Sequence, residues 1–163
     1  MTYTEIYQRY AKGVYNSIYR IVQHSGEAED LLQETFLDAF EDLDTFLSHS
    51  NPAAWLKRVG INKAIGLLRK RKQLLIEWQD DLIDQQTDSI DEEGFVMHLN
   101  HVLDAINQLP IGYKTIVQLY LIEDLPQNDI AEILKISPGT VRSQYFRAKK
   151  QIIKHVEKMK NHE

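Results

Sequence analysis

Helical apolar spacing breaks down in this chain for longer than a turn or loop needs, between Glu77 and Ile90, and that break limits the folds open to it. On either side, apolar side chains recur three, four and seven positions apart, the spacing of one helix face. Residues 77–90 are acidic, glutamine-rich and weakly periodic, so they predict a flexible linker without a core of its own. The stretches 1–76 and 91–163 must then each bury a small core. With 7 Gly and 4 Pro in 163 residues, and no strand-like alternation, the expected fold class is all-α: two small helical domains joined by a flexible acidic linker.

In the first stretch Ile6, Tyr10, Val14 and Ile18 share a face, widened by Tyr3, Tyr7, Ile21 and Val22. This helix is expected to stop near His24-Ser25-Gly26, where glycine suits a C-terminus. A second helix carries Ala28, Leu32, Phe36, Ala39, Phe40 and Leu43, with Glu27, Glu29 and Asp30 at its N-terminal end, where the helix dipole favours acids. Ser48-His49-Ser50 is a polar break. Asn51 and Pro52 then offer a cap and a first-turn proline to a third helix, expected from Ala53 to about Lys72. Beyond the linker, helices are expected over 91–109, 112–122, 126–135 and 138–160.

The net charge of −5 argues, on average, against a nucleic-acid partner, but the charges are segregated. Residues 55–76 hold seven Lys and Arg and no acid, whereas 77–109 hold nine acids and no Lys or Arg. Residues 1–54 are acid-rich, and 110–163 carry nine bases against six acids. The absence of Cys excludes disulfides, thiolate nucleophiles and cysteine-ligated zinc. No apolar run approaches the ~20 residues that cross a bilayer. Met1-Thr2-Tyr3-Thr4-Glu5 lacks the start of a signal peptide, so a cytoplasmic location is expected.

The stretch from Gln127 to Arg142 fits a helix-turn-helix. Ala131 is small where two helices must approach, and Ile130, Leu134, Ile136 and Val141 fall where the motif buries side chains. Ser137 is placed to cap the next helix, with Pro138 in its first turn. On that helix Val141, Tyr145, Ala148 and Ile152 form one stripe, leaving Arg142, Phe146, Arg147, Lys149 and Lys150 outward. A DNA-reading helix needs this division, because one stripe fixes it to its scaffold while the rest meets phosphates and base edges. Lys135 stands in the turn where glycine is common, and a left-handed backbone there costs about 1 kcal/mol. Upstream, Arg58, Asn62 and Arg69 share a face of the third helix, where an amide between two guanidiniums suits a base edge flanked by phosphates. A solvated basic helix end is the plainer reading of those three residues alone.

In combination these segments resemble a known family. The run Glu29-Asp30-Leu31-Leu32-Gln33-Glu34-Thr35-Phe36-Leu37, followed by Trp55-Leu56-Lys57-Arg58-Val59-Gly60-Ile61-Asn62, resembles region two of bacterial RNA polymerase sigma factors. The stretch from Leu109-Pro110 through Ile130-Ala131-Glu132-Ile133 to Gly139-Thr140-Val141-Arg142-Ser143 resembles their region four. With only a short linker between the two, the chain resembles the extracytoplasmic-function (ECF) class. The resemblance implies that Asp30, Gln33 and Glu34 dock on the clamp helices of the largest subunit of core RNA polymerase. It implies that the loop from Phe46 to Pro52 and Asn62 capture an extruded base of the minus-ten element, with Arg58, Lys63 and Arg69 near for phosphates. Arg142, Ser143, Phe146 and Arg147 match positions that read the minus-thirty-five element, and Lys150 extends that basic face. It further implies promoter DNA as ligand, an anti-sigma factor as partner, and catalysis left to the polymerase.

Two departures stand out. Leu47-Ser48-His49-Ser50-Asn51-Pro52 replaces a loop that in relatives often carries Arg-Gly and an aromatic, so no minus-ten sequence is assigned. Gln144 stands where Arg or Lys is frequent, which is expected to soften phosphate binding. His98 and His101, beside Asp91, Glu92 and Glu93, read as a solvated helix face and not a metal site. No phosphate-cradling loop, nucleophile elbow or HExxH pattern is present, so neither a cofactor nor a catalytic site is expected. Two alternatives stay open: a self-standing helix-turn-helix regulator, which would dimerise and bind an operator without polymerase, and a helical adaptor that binds no DNA.

Overall fold

A computed structural model describes residues 2–74 and 99–161. The linker 77–90, the acids Asp91, Glu92 and Glu93, and His98 lie outside the described residues. The chain divides into two compact units, Met1–Lys72 and Gln73–Glu163. Every regular element among the described residues is helical.

Unit one holds α1 (Tyr3–Val22), α2 (Ser25–Glu41), α3 (Leu43–Ser48) and α4 (Pro52–Lys70). A capping box starts α1: Thr2 Oγ1 accepts from the Glu5 amide at 3.2 Å, and Glu5 Oε2 accepts from the Thr2 amide at 3.2 Å. Helices α1, α2 and α4 pack pairwise around Ile6, Val14, Ile18, Leu32, Phe36, Leu56, Ile61 and Ile65. Gly60 lets α1 and α4 approach, since a Cβ there would meet Ile18 Cδ1 and Cγ1 at 3.0 Å.

The end of α1 differs from the expectation at Gly26. Gln23 takes the left-handed conformation (φ 55°), and its amide donates to the Tyr19 carbonyl at 2.8 Å. Gly26 instead lies in the first turn of α2, whose cap is His24: Nδ1 accepts from the Glu27 amide at 3.2 Å. The stretch read as one helix through Leu43 is also broken. Asp42 ends α2 and caps α3, accepting from the Thr45 amide and hydroxyl at 3.2 and 2.6 Å. Asn51 caps α4 by accepting from the Ala54 amide at 3.1 Å, with Pro52 in the first turn.

Unit two holds α5 (Leu99–Gln108), α6 (Ile111–Val117) running into a π-helical turn (Gln118–Ile122), α7 (Gln127–Leu134) and α8 (Pro138–Asn161). Helices α5, α6 and α7 all pack on α8. Val102, Ala105, Ile106, Leu109, Val117, Ala148, Ile152 and Val156 form the core, with Tyr113 and Tyr145 against it. The single helix expected over 112–122 thus changes character at Gln118.

Candidate nucleic-acid interface

The turn between α7 and α8 is set by short-range bonds. Lys135 is left-handed (φ 59°), and the Ile136 amide reaches back to the Ala131 carbonyl at 3.0 Å. Ser137 Oγ accepts from the Thr140 amide at 3.1 Å and shares a 2.8 Å bond with the Thr140 hydroxyl. This cap fixes where α8 begins, and the buried Val141, Ala148 and Ile152 fix its rotation. Arg142 is then exposed, with Ser143, Phe146, Arg147 and Lys150 partly exposed. Ser143 Oγ donates to the Thr140 carbonyl at 3.2 Å, leaving its oxygen lone pairs as acceptors. The Lys150 ammonium sits 4.6 Å from the centroid of the Phe146 ring, a cation–π contact that gives the basic face an aromatic floor.

Gln144 corrects the reading that made it a weakened phosphate contact. Its side chain is fully buried on the scaffold side of α8, between the exposed positions and the core. A substitution of Arg there would have to bury a guanidinium, so Gln144 belongs to packing and not to the exposed basic surface of α8.

In unit one, α4 carries Asn62 exposed and Arg58 and Arg69 half-buried. Trp55, two turns before Asn62 on the same face, lies in an aromatic group that sequence reasoning did not assemble. The His49 ring stacks on it at 5.3 Å and 21°, and Phe46 packs on it at 5.6 Å. Tyr10 meets Phe46 edge-on at 6.4 Å. The missed signal was an imidazole in the polar break six residues before a tryptophan.

The basic block 55–76 is not a uniform surface. Lys63 Nζ lies 2.9 Å from Asp38 Oδ2 and 3.7 Å from Glu34 Oε2, so α2 holds this ammonium. Arg71 donates to the Glu27 carboxylate, which holds Glu27 below the ordinary carboxylate range and raises Arg71. Lys57 lays its stem over Gly13 of α1, with Cε 3.4 Å from where a Cβ would stand.

Helix α2 separates its faces. Ala28, Leu32, Thr35, Phe36 and Ala39 are buried, with the Thr35 hydroxyl turned back to the Leu31 carbonyl at 2.7 Å. Asp30, Gln33 and Glu34 are exposed, and Leu37, which sequence reasoning did not single out, is 63% exposed beside them. An apolar side chain rimmed by carboxylates suits a basic helical partner. Elsewhere, among the described residues, no His, Asp or Glu side chains gather in threes to hold a metal. No described helix is long and apolar enough to cross a membrane.

Comparison with known proteins assigns both units. Residues 6–73 match Sigma-70 region 2, and residues 99–152 match Sigma-70, region 4. The chain is 31% identical over 154 residues to the ECF RNA polymerase sigma factor SigM of Bacillus subtilis (strain 168), covering 93% of each chain. It is 28% identical over 171 residues to SigW of the same organism, covering 94% of this chain and 88% of that one. In fold it matches the sigma factor RpoE of Bartonella quintana, solved with the anti-sigma factor NepR, at a TM-score of 0.58 and 23% identity over 94% and 96% of the two chains. CnrH, solved with the cytosolic domain of CnrY, matches at a TM-score of 0.53 and 20% identity over 95% and 87%. Matched in both units, in order and along nearly its whole length, the chain belongs to the ECF RNA polymerase sigma factors.

Proposed function

We propose a division of labour within this sigma factor in which each unit presents one reading helix and unit one also presents the polymerase-docking face. As a sigma factor the chain serves promoter-specific transcription initiation by RNA polymerase. Asp30, Gln33 and Glu34 of α2 dock on the clamp helices of the largest subunit, with Leu37 as apolar centre. Asn62 of α4 takes a base edge of the minus-ten element while Arg58 and Arg69 hold the strand. Arg142, Ser143, Phe146, Arg147 and Lys150 of α8 read the minus-thirty-five duplex in the major groove, where Arg pairs bidentately with guanine and an aromatic ring meets a thymine methyl.

The observation that carries this reading is the split within each helix. The buried stripe of α8 and the buried Leu56, Ile61, Ala64, Ile65 and Leu68 of α4 leave the proposed DNA residues on the solvent side. On this reading phosphodiester formation belongs to the polymerase, and we place the protein in the cytoplasm. An anti-sigma factor is a further partner by analogy with the RpoE–NepR complex. Run-off transcription with purified core polymerase tests the reading. Transcripts should start at discrete promoter sites only when the chain is added. A self-standing regulator would instead bind DNA without polymerase and add no start sites.

A further inference from the structure

We propose that the Lys63 ammonium is shared between the two sites of unit one, held by Asp38 and Glu34 in the free chain and released to a DNA phosphate when polymerase engages α2. The inference rests on the reading of α2 as the docking helix. Lys63 follows Asn62 directly, so it borders the face of α4 assigned to the melted strand. Its ammonium lies 2.9 Å from Asp38 and 3.7 Å from Glu34, and Glu34 is one of the three docking residues.

The geometry makes the exchange easy. The Lys63 side chain is 25% exposed, while those of Asp38 and Glu34 are 46% and 59% exposed. Partly solvated pairs of this kind contribute little to stability, so a competing cation displaces the ammonium at small cost. A basic partner laid on Glu34 and Asp38 supplies that cation. The Lys63 side chain, on a flexible four-carbon stem, then swings toward DNA as a point charge. Docking and strand binding are thereby coupled, and by linkage each strengthens the other. Asp38 becomes a residue of this mechanism although the motif that marks the docking face ends before it.

Counterion release gives the test a number. Each phosphate neutralised on a single strand steepens the dependence of log affinity on log salt by about 0.7. Anisotropy of a labelled single-stranded oligonucleotide, titrated with the free chain over a NaCl series, compares Asp38→Asn with Glu41→Gln. The second variant makes the same change in net charge on α2, outside the Lys63 pair. Asp38→Asn should bind about two- to fivefold more tightly than Glu41→Gln, with a slope steeper by about 0.7. That gain should vanish when Lys63→Gln is added. In holoenzyme, Lys63→Gln should cost more affinity than it does in the free chain.

Equal affinities and slopes for Asp38→Asn and Glu41→Gln would overturn the proposal, as would a gain that survives Lys63→Gln. The docking reading has its own arm. Normal core binding by an Asp30→Lys, Gln33→Ala double variant would overturn that reading, and the coupling with it, even where the free-chain slopes respond.

Discussion

The two helices proposed to read DNA, α4 and α8, are positioned by different kinds of contact. Helix α8 begins at a cap, a proline and a left-handed lysine that all lie within a few residues of its first turn. Helix α4 also has a local cap, but its functional border is made by residues from far along the chain. Glu27, Glu34 and Asp38 of α2 hold Arg71 and Lys63. A helix fixed by its own start can be reoriented only by breaking its unit. A helix whose border charges are lent to a neighbour can change its surface without refolding. This difference suits the proposed division, with duplex reading in unit two and conditional strand capture in unit one.

The most severe way to break the comparison is through a core. Ile152 of α8 is buried in the core of unit two, and Ile152→Ala should cost about 2–5 kcal/mol through lost transfer energy and a cavity. Amide hydrogen exchange should show protection falling through unit two while unit one keeps its own. Minus-thirty-five duplex binding should fail, whereas binding to core polymerase should persist. Ile61→Ala should give the mirror result.

Base reading comes next in size. Arg142→Ala and Arg147→Ala should each lose about 1–3 kcal/mol of discrimination between minus-thirty-five duplexes and leave core binding intact. Asn62→Ala should leave that duplex affinity unchanged but slow open-complex formation, since an extruded base costs a few kcal/mol that its pocket must offset. Permanganate reactivity at the start site measures this. Equal loss of polymerase binding in the Arg variants would erase the division between units.

How much of this was legible in sequence follows the same line. Ser137 and Asn51 each accept from a backbone amide three residues on, and Pro138 and Pro52 set the backbone at their own positions, so their roles were visible without coordinates. Lys135 was readable too, because its departure from glycine falls inside a motif of fixed spacing. Gly26 misled, since glycine is compatible with a C-terminus but Gln23 accepts the left-handed strain first and His24 offers a competing cap. Gln144 misled because polarity was read as exposure, and only packing of α8 shows which side it faces. The Lys63–Asp38 and Arg71–Glu27 pairs depend on how α2 crosses α4, which helix periodicity does not encode.

Smaller effects separate backbone strain from packing. Gly66 has open space where a Cβ would stand, so Gly66→Ala should stabilise unit one by about 0.8–1 kcal/mol through helix propensity. Gly60→Ala should lose that gain, because Ile18 stands 3.0 Å from the new methyl. In unit two, Lys135→Gly should relieve up to about 1 kcal/mol of left-handed strain. Thermal melts with exchange readouts by unit should rank the first two variants in that order and move the third in unit two alone.

The smallest expected difference is in pH: stability rises with pH in both units, over the acid range in unit one and the alkaline range in unit two. In unit one, Glu27 is lowered first by the Arg71 hydrogen bond, and Asp42 by its bonds from the Thr45 hydroxyl and amide. A carboxylate lowered by folding contributes stability that is fully present above its unfolded value, near 4. That contribution is lost as pH falls through the folded value. Glu27→Gln and Asp42→Asn should therefore flatten the acid loss of unit one. In unit two the shifted group is a base: burial lowers Lys114 below the ordinary 10.5. The cost of burying its ammonium is constant while both states are protonated. As pH rises through the lowered folded value, the folded state sheds its proton before the unfolded chain does, so the cost fades and stability gains with pH. The gain is measured as the difference between the native chain and Lys114→Met, which cancels tyrosine ionisation common to both. An alkaline gain confined to unit two, with acid loss reduced only by the unit-one variants, supports two separately titrating units. If Lys114→Met altered the acid limb of unit one, their titrations would be coupled and this contrast would fail.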